Sequence, residues 1–193
     1  MRSEEPVPYL APNPLQFDQV RIENTIHCGY KCTMCPRDKQ TRDMGFMPIE
    51  DLDLVFQRLD GFHGQIQLHG YGEPHLDKQL PAKARLARAR HPHGLPLTFT
   101  TLGVPSDDAY IRDLASSGLG HEVFSYYRFT RETYEAVAQV DTFDVAKRNL
   151  QALAEARDAA GATFTIEVRT WFENVWNKWP KKYAGIARVS WPG

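Results

Sequence analysis

Cysteine is scarce in this chain, with three in 193 residues, and an odd count cannot close into a disulfide framework. A chain of this length buries a core without covalent staples, so free thiols are expected, and with them a reducing compartment, the cytoplasm. No run of about 18 apolar residues exists, which excludes a membrane-spanning helix. Neither charge dominates: the formal net charge is −1, so no global field draws in nucleic acid. The cations Lys83, Arg85, Arg88 and Arg90 fall at helical spacing and read as a solvated helix face. Internal repeats and low-complexity stretches are also missing, which excludes a solenoid. No secretory leader is legible either. Residues 1–16 form a Pro-rich leader with Pro6, Pro8, Pro12 and Pro14 and no apolar stretch, and residues 17–193 read as one core domain.

What is present is an alternation of strand and helix. Phe17 to Thr25 alternates apolar and polar residues and runs into the cysteines; Pro48 and Ile49 open a helix with Leu52, Phe56 and Leu59 on one face. The pattern then predicts strand Gln65–His69, helix Leu76–Ala89, strand Leu97–Thr101, helix Asp107–Ser116 and strand Glu122–Tyr126. A long helix through Phe143, Ala146, Leu150 and Leu153, closed at Gly161, leads to strand Thr163–Thr170. A short helix near Glu173–Tyr183 and a last strand, Ala187–Trp191, complete the series. Alternating elements imply parallel strands with crossover helices, so the expected fold is α/β, a partial (β/α)6 TIM-like barrel.

The strand faces add a functional hint. Gln65, Gln67 and His69 oppose Ile66 and Leu68; Arg21, Glu23 and Thr25 oppose Val20 and Ile22; Thr165, Glu167 and Arg169 oppose Phe164, Ile166 and Val168. Parallel strands covered on both sides are normally apolar throughout. One polar face therefore points to a wet cavity around a polar ligand, the alternative being a bare, solvated sheet face.

Cys28, Cys32 and Cys35 share a single loop, Cys-Gly-Tyr-Lys-Cys-Thr-Met-Cys-Pro-Arg. Zinc takes four ligands, commonly as paired knuckles, and here only Cys32 and Cys35 have knuckle spacing; Cys28 and a histidine such as His27 or His69 would have to complete the set. A cubane iron–sulfur cluster takes one thiolate per iron. Three thiolates on four irons leave one iron open to an exogenous ligand.

The three-then-two spacing resembles the signature of the radical S-adenosylmethionine (radical SAM) family. That resemblance implies a 4Fe–4S cluster on the three cysteines and SAM chelated to the open iron through its amino and carboxylate groups. It further implies an enzyme that cleaves SAM reductively to a 5′-deoxyadenosyl radical, which abstracts hydrogen from a substrate.

The stretch His69-Gly70-Tyr71-Gly72-Glu73-Pro74 ends the second strand and looks like the family's Gly-Gly-Glu-Pro motif. On that likeness Gly72, Glu73 and Pro74 would hold the SAM amino group, with Tyr71 standing where the motif's first glycine would be. Met34, before the third cysteine, would lie against the adenine. Ser125, ending the fourth strand, would take the ribose; a plain strand-end hydrogen bond is its other reading.

Thr100 falls where relatives carry Thr-Asn-Gly, and the Asn is absent here. Glu167 and Arg169 face the expected cavity, where Arg169 would pair the SAM carboxylate or else satisfy Glu167 or Glu23. Arg42, Gly45, Phe46 and Met47 after the cluster, with Phe124, Glu132–Glu135 and Asn149, resemble the branch that holds peptide-modifying and sulfatase-maturing enzymes. The implied substrate is a peptide side chain or a small biosynthetic metabolite, and the implied partner a flavodoxin-like donor or reductase. The auxiliary-cluster cysteines common in that branch are missing, so the expectation is either a minimal one-cluster enzyme or a barrel completed by an oligomer contact, a partner chain or a missing segment. The rival reading is a non-catalytic iron–sulfur module serving as scaffold or electron carrier.

Overall fold

A computed structural model describes residues 18–100, 106–126, 130–171 and 186–191. Six strands form one sheet in sequence order: β1 Gln19–Arg21, β2 Gln65–Gln67, β3 Leu95–Thr100, β4 His121–Ser125, β5 Thr165–Trp171 and β6 Ile186–Trp191. Strands β1 to β5 are parallel neighbours. The helices α1 Ile49–Arg58, α2 Leu80–Arg90, α3 Asp108–Ala115, α4 Arg131–Ala138 and α5 Phe143–Ala159 make the crossovers. The α/β class and partial barrel expected from the alternation are what the chain adopts.

The sixth strand departs from the expectation of six parallel strands. It pairs antiparallel with β5, Ile186 opposite Trp171 and Trp191 opposite Ile166. A parallel return needs a crossover of a dozen or more residues, commonly a helix, whereas an antiparallel one does not. The helix expected near Glu173–Tyr183 lies outside the described residues.

Two boundaries shift for local reasons. α2 begins at Leu80, not Leu76, because Pro74–Leu76 winds a short 3₁₀ turn and the Asp77 carboxylate then accepts from Gln79 N at 2.9 Å. The eight residues of α4 have no counterpart in the predicted elements. Its start is marked by Thr130, whose hydroxyl accepts from Thr133 N, a cap signal that the sequence does carry.

The core lies between the sheet and its helices. Ile66 and Leu68 of the second strand segment, Phe124 and Ile166 meet Leu52, Phe56, Leu80, Leu114 and Leu153, all buried. The opposite sheet face is polar, as the alternation indicated: Arg21 Nε donates to Gln67 Oε1 at 3.1 Å, and Gln67 Nε2 donates to Gln19 Oε1 at 2.8 Å.

The solvated basic helix face holds at Arg85 and Arg90, which are exposed, and is corrected at Lys83. Lys83 is fully buried, bonded to the Asp77 carboxylate and to Met47 O, because it points inward beneath the loop that follows the cysteines. Arg85 forks onto Asp113, Arg90 onto Asp53, and Arg88 donates to the carbonyls of Gly118, Pro92 and Gly94. These cations serve the fold's own polar groups and form no open patch.

Candidate functional site

β1 delivers the chain to the cysteine loop, and side chains fix the turn. Thr25 Oγ1 accepts from His27 N at 3.0 Å and donates to Gly45 O at 2.9 Å, while Thr25 bridges Phe46 antiparallel. His27 stacks on Phe46 with ring centroids 4.6 Å apart. On the other side the loop docks on the end of α4: Lys31 N donates to Ala138 O and Thr33 N to Val137 O. Those carbonyls belong to the helix's last turn, which lacks intrahelical donors. Tyr30, buried, closes the base through hydroxyl contacts with Thr142 and Tyr134. A short loop held at both flanks in this way presents its side chains from a fixed backbone.

The three cysteines are free and half-buried. Burial pushes the Cys28 thiol up to about 11, with the Glu73 charge adding to it and a backbone hydrogen bond at Tyr30 opposing. Such a thiol keeps its proton until a cation replaces it, which is how metal binding to cysteine releases protons. Among the described residues no three His, Cys, Asp or Glu side chains gather on one point as a single metal ion requires. Thiols spaced along one loop suit one thiolate for each of several irons.

The Gly70–Pro74 turn is fused to this loop. Glu73 N donates to His27 O at 2.8 Å, and a Cβ on Gly72 would stand 2.1 Å from Thr25 O, a contact no side chain tolerates. A Cβ on Gly70 would meet the Glu23 carboxylate at 2.2 Å. Tyr71 N donates to that carboxylate at 2.6 Å, and Arg42 holds its other oxygen at 2.5 Å. Tyr71 therefore leaves the glycine approach intact, its own side chain pointing to solvent, 43% exposed. Glu73 is buried, and its carboxylate accepts from His75 N at 3.2 Å, capping the 3₁₀ turn that Pro74 opens.

Behind the turn lies a buried network absent from the sequence reading. His75 Nε2 is 3.2 Å from Glu122 Oε1, and its Nδ1 is 3.1 Å from Tyr110 Oη. Burial alone would push the His75 imidazole down, yet the hydrogen bond and charge of Glu122, with the Glu73 charge, raise it above its ordinary value. Burial and the same carboxylates hold Tyr110 well above 10. The sequence did carry a signal: Glu122 shares the apolar face of β4 with Phe124, and a carboxylate on a covered face requires a partner.

Three of the remaining candidates, Ser125, Glu167 and Arg169, lie toward the carboxyl ends of β4 and β5. Ser125 and Arg169 are register partners, and the Ser125 hydroxyl has no hydrogen-bond partner among the described residues. Arg169 Nε donates to Glu167 Oε1 at 2.6 Å, the structural pairing that the sequence left open. Glu167 Oε2 also lies 3.1 Å from His121 Nε2. Met34 is 37% exposed at the loop surface, and Thr100 closes β3 opposite Phe124. His69, buried on the polar sheet face, is depressed to about 3 by burial and by the charges of Arg21 and Arg169, so it is a neutral imidazole.

Three reduced thiols on a rigid loop, at the carboxyl mouth of a partly closed parallel barrel, define the class as a metal-cluster α/β barrel. The sequence profile of the Radical SAM superfamily matches residues 22–167, and the chain belongs to that superfamily. Its cofactors are those of the family, a 4Fe–4S cluster and S-adenosylmethionine.

Solved structures carry the same fold. Methylornithine synthase (PylB) superposes with a TM-score of 0.59 at 13% identity, covering 78% of this chain and 43% of that one. BtrN, crystallised with AdoMet and 2-DOIA, gives 0.50 at 19% identity, over 80% of this chain and 70% of that one. The enzyme anSMEcpe, with AdoMet and a peptide bound, gives 0.56 at 20% identity, over 77% and 42%. The chain thus spans less than half the length of two of these three proteins. Comparison with curated sequences finds no match. No helix among the described residues is long and apolar enough to cross a membrane.

Proposed function

We propose that this chain is the catalytic core of a radical SAM enzyme, with Cys28, Cys32 and Cys35 holding the 4Fe–4S cluster and one iron left for SAM. The observation that supports it most is the fusion of the thiol loop to the Gly72–Glu73 turn, through Glu73 N to His27 O and the close approach of Gly72 to Thr25. When bound, the cluster and SAM together supply a 5′-deoxyadenosyl radical able to abstract hydrogen.

The chain's own residues do the positioning. Glu73 and the strand-end backbone at Gly72 and Pro74 receive the SAM ammonium, a charge-assisted contact of the stronger kind. Met34 packs on the adenine through its thioether. The unpartnered hydroxyl of Ser125 takes the ribose, beside the end of β3 at Thr100. Arg169, oriented by Glu167, faces the SAM carboxylate with a planar fork suited to it. Neutral His69 borders the space below, where a substrate would sit.

In this reading the substrate is a peptide side chain or a small polar metabolite, and the reaction an oxidoreductase or maturase type of hydrogen abstraction. The electron comes from a flavodoxin-like donor or reductase, and the compartment is the reducing cytoplasm. The test is anaerobic: load the protein with iron and sulfide, add SAM and dithionite, and measure 5′-deoxyadenosine against Cys32→Ala. Formation by the native chain and its loss in the variant are expected. A loaded cluster without SAM cleavage would contradict the proposal and favour an iron–sulfur scaffold or electron carrier.

A further inference from the structure

The polar sheet face carries Arg21 at the end of β1 and Glu23 just after it, with Glu167 and Arg169 on β5. Two are neutralised in place, since Glu23 is held by Arg42 at 2.5 Å and Glu167 by Arg169 at 2.6 Å, which also accounts for Arg169. Arg21 has no carboxylate among the described residues. Its Nε is spent on Gln67 Oε1 at 3.1 Å, and that amide is itself locked, its Nε2 donating to Gln19 Oε1 at 2.8 Å and Gln65 Oε1 at 3.4 Å. Gln67 is 5% exposed, so it is a fixed anchor and not a surface contact.

The anchor leaves both terminal nitrogens of Arg21 available as a parallel pair of donors. The neighbours offer no competing charge. His69 is neutral, and burial holds the His121 imidazole below its ordinary value despite Glu167. Register sets the depth: Arg21 pairs with Gln67, one residue pair of the pleat below His69, whereas Ser125 and Arg169 sit toward the strands' carboxyl ends. Arg21 itself is exposed, and an oriented, uncompensated guanidinium on an open polar face fits a planar or tetrahedral oxyanion bidentately.

We infer that Arg21, aimed by Gln67, binds an anionic group of the substrate, a carboxylate or phosphate, on the polar face of the sheet. This rests on the proposed function for calling the ligand a substrate, but the anion site itself does not depend on SAM. The substrate then lies along that face, its acidic end on Arg21 and its reacting carbon toward the cysteine loop.

Site-resolved protection tests this on the full, cluster-loaded chain. Phenylglyoxal labels accessible arginines, and mass spectrometry reads each rate separately. Sodium acetate and inorganic phosphate, each at constant ionic strength, should slow Arg21 labelling saturably by at least about fivefold and leave Arg85, outside the barrel, unchanged. The anion that saturates at lower concentration tells a carboxylate substrate from a phosphate one. Arg21→Met and Arg21→Gln, each checked for native circular dichroism, should weaken the anion's effect on the melting temperature by roughly ten- to a hundredfold in concentration.

Equal slowing at Arg21 and Arg85 would overturn the inference, and so would protection at Arg169 alone or an Arg21 that phenylglyoxal cannot label without anion. The outcome separates from that of the SAM assay: protection of Arg21 in a protein that makes no deoxyadenosine leaves the site standing and removes only the radical chemistry.

Discussion

Replacing Lys83 with Met distinguishes the structure from a surface reading of the same helix. A solvated lysine would tolerate the change within about 0.5 kcal/mol. In the structure the ammonium is fully buried and bonded to the Asp77 carboxylate, which is itself 4% exposed, and to Met47 O. Removing it leaves Asp77 buried with only Asn24 Nδ2 at 3.3 Å and Gln79 N at 2.9 Å. Breaking a buried pair by taking one partner is destabilising by about 3–5 kcal/mol. With a urea m-value of roughly 2 kcal/mol/M, the unfolding midpoint of the cluster-free chain should fall by about 1.5–2.5 M. Asp77→Asn combined with Lys83→Met should recover more than half of that loss, because no uncompensated charge remains. A single-variant loss under about 1 kcal/mol, or a double variant as weak as the single, would refute the buried-pair reasoning.

Gly72→Ala should weaken the fold by about 2–4 kcal/mol, since its Cβ meets Thr25 O at 2.1 Å and the Glu73 N to His27 O bond must shift; equilibrium unfolding reads it, and retention of native stability would contradict the contact. Glu122→Gln tests the buried histidine. Because the folded His75 value lies above its unfolded 6.5, the stabilisation is complete below that pH and is lost as pH rises through the raised value. The gap between native and variant stability should therefore be widest in acid and narrow in alkali, and a pH-independent gap would count against the charged imidazole. His69, depressed to about 3, should show imidazole resonances that do not titrate between pH 5 and 8; a midpoint near 6.5 would contradict its burial beside Arg21 and Arg169. Ser125→Ala should weaken SAM binding by about five- to tenfold, one hydrogen bond's worth, with the cluster unchanged; unaltered affinity would remove Ser125 from the site.

Much of this was legible because it is written in local pattern. The alternation in Gln65–His69 and Thr165–Arg169 assigned the covered and polar faces correctly, and the cysteine spacing isolated the loop. The antiparallel return of β6 was not legible, since a strand's own residues carry no mark of its direction. The α4 helix was missed because its apolar face is short, though Tyr134, Val137 and Ala138 do bury it. His75 and Glu122 escaped because each is buried through a partner 47 positions away that only the folded topology supplies, whereas Lys83 and Asp77, six positions apart, escaped because nothing in their own pattern marks the loop that covers them.

The central claim is that three thiolates leave one iron for SAM. The direct measurement is electron paramagnetic resonance of the dithionite-reduced, cluster-loaded protein with and without SAM. A reduced-cluster signal that SAM reshapes, and that Cys28→Ala, Cys32→Ala or Cys35→Ala each abolishes, is the expected result. A reduced-cluster signal identical in both samples would show every iron already ligated and would contradict it.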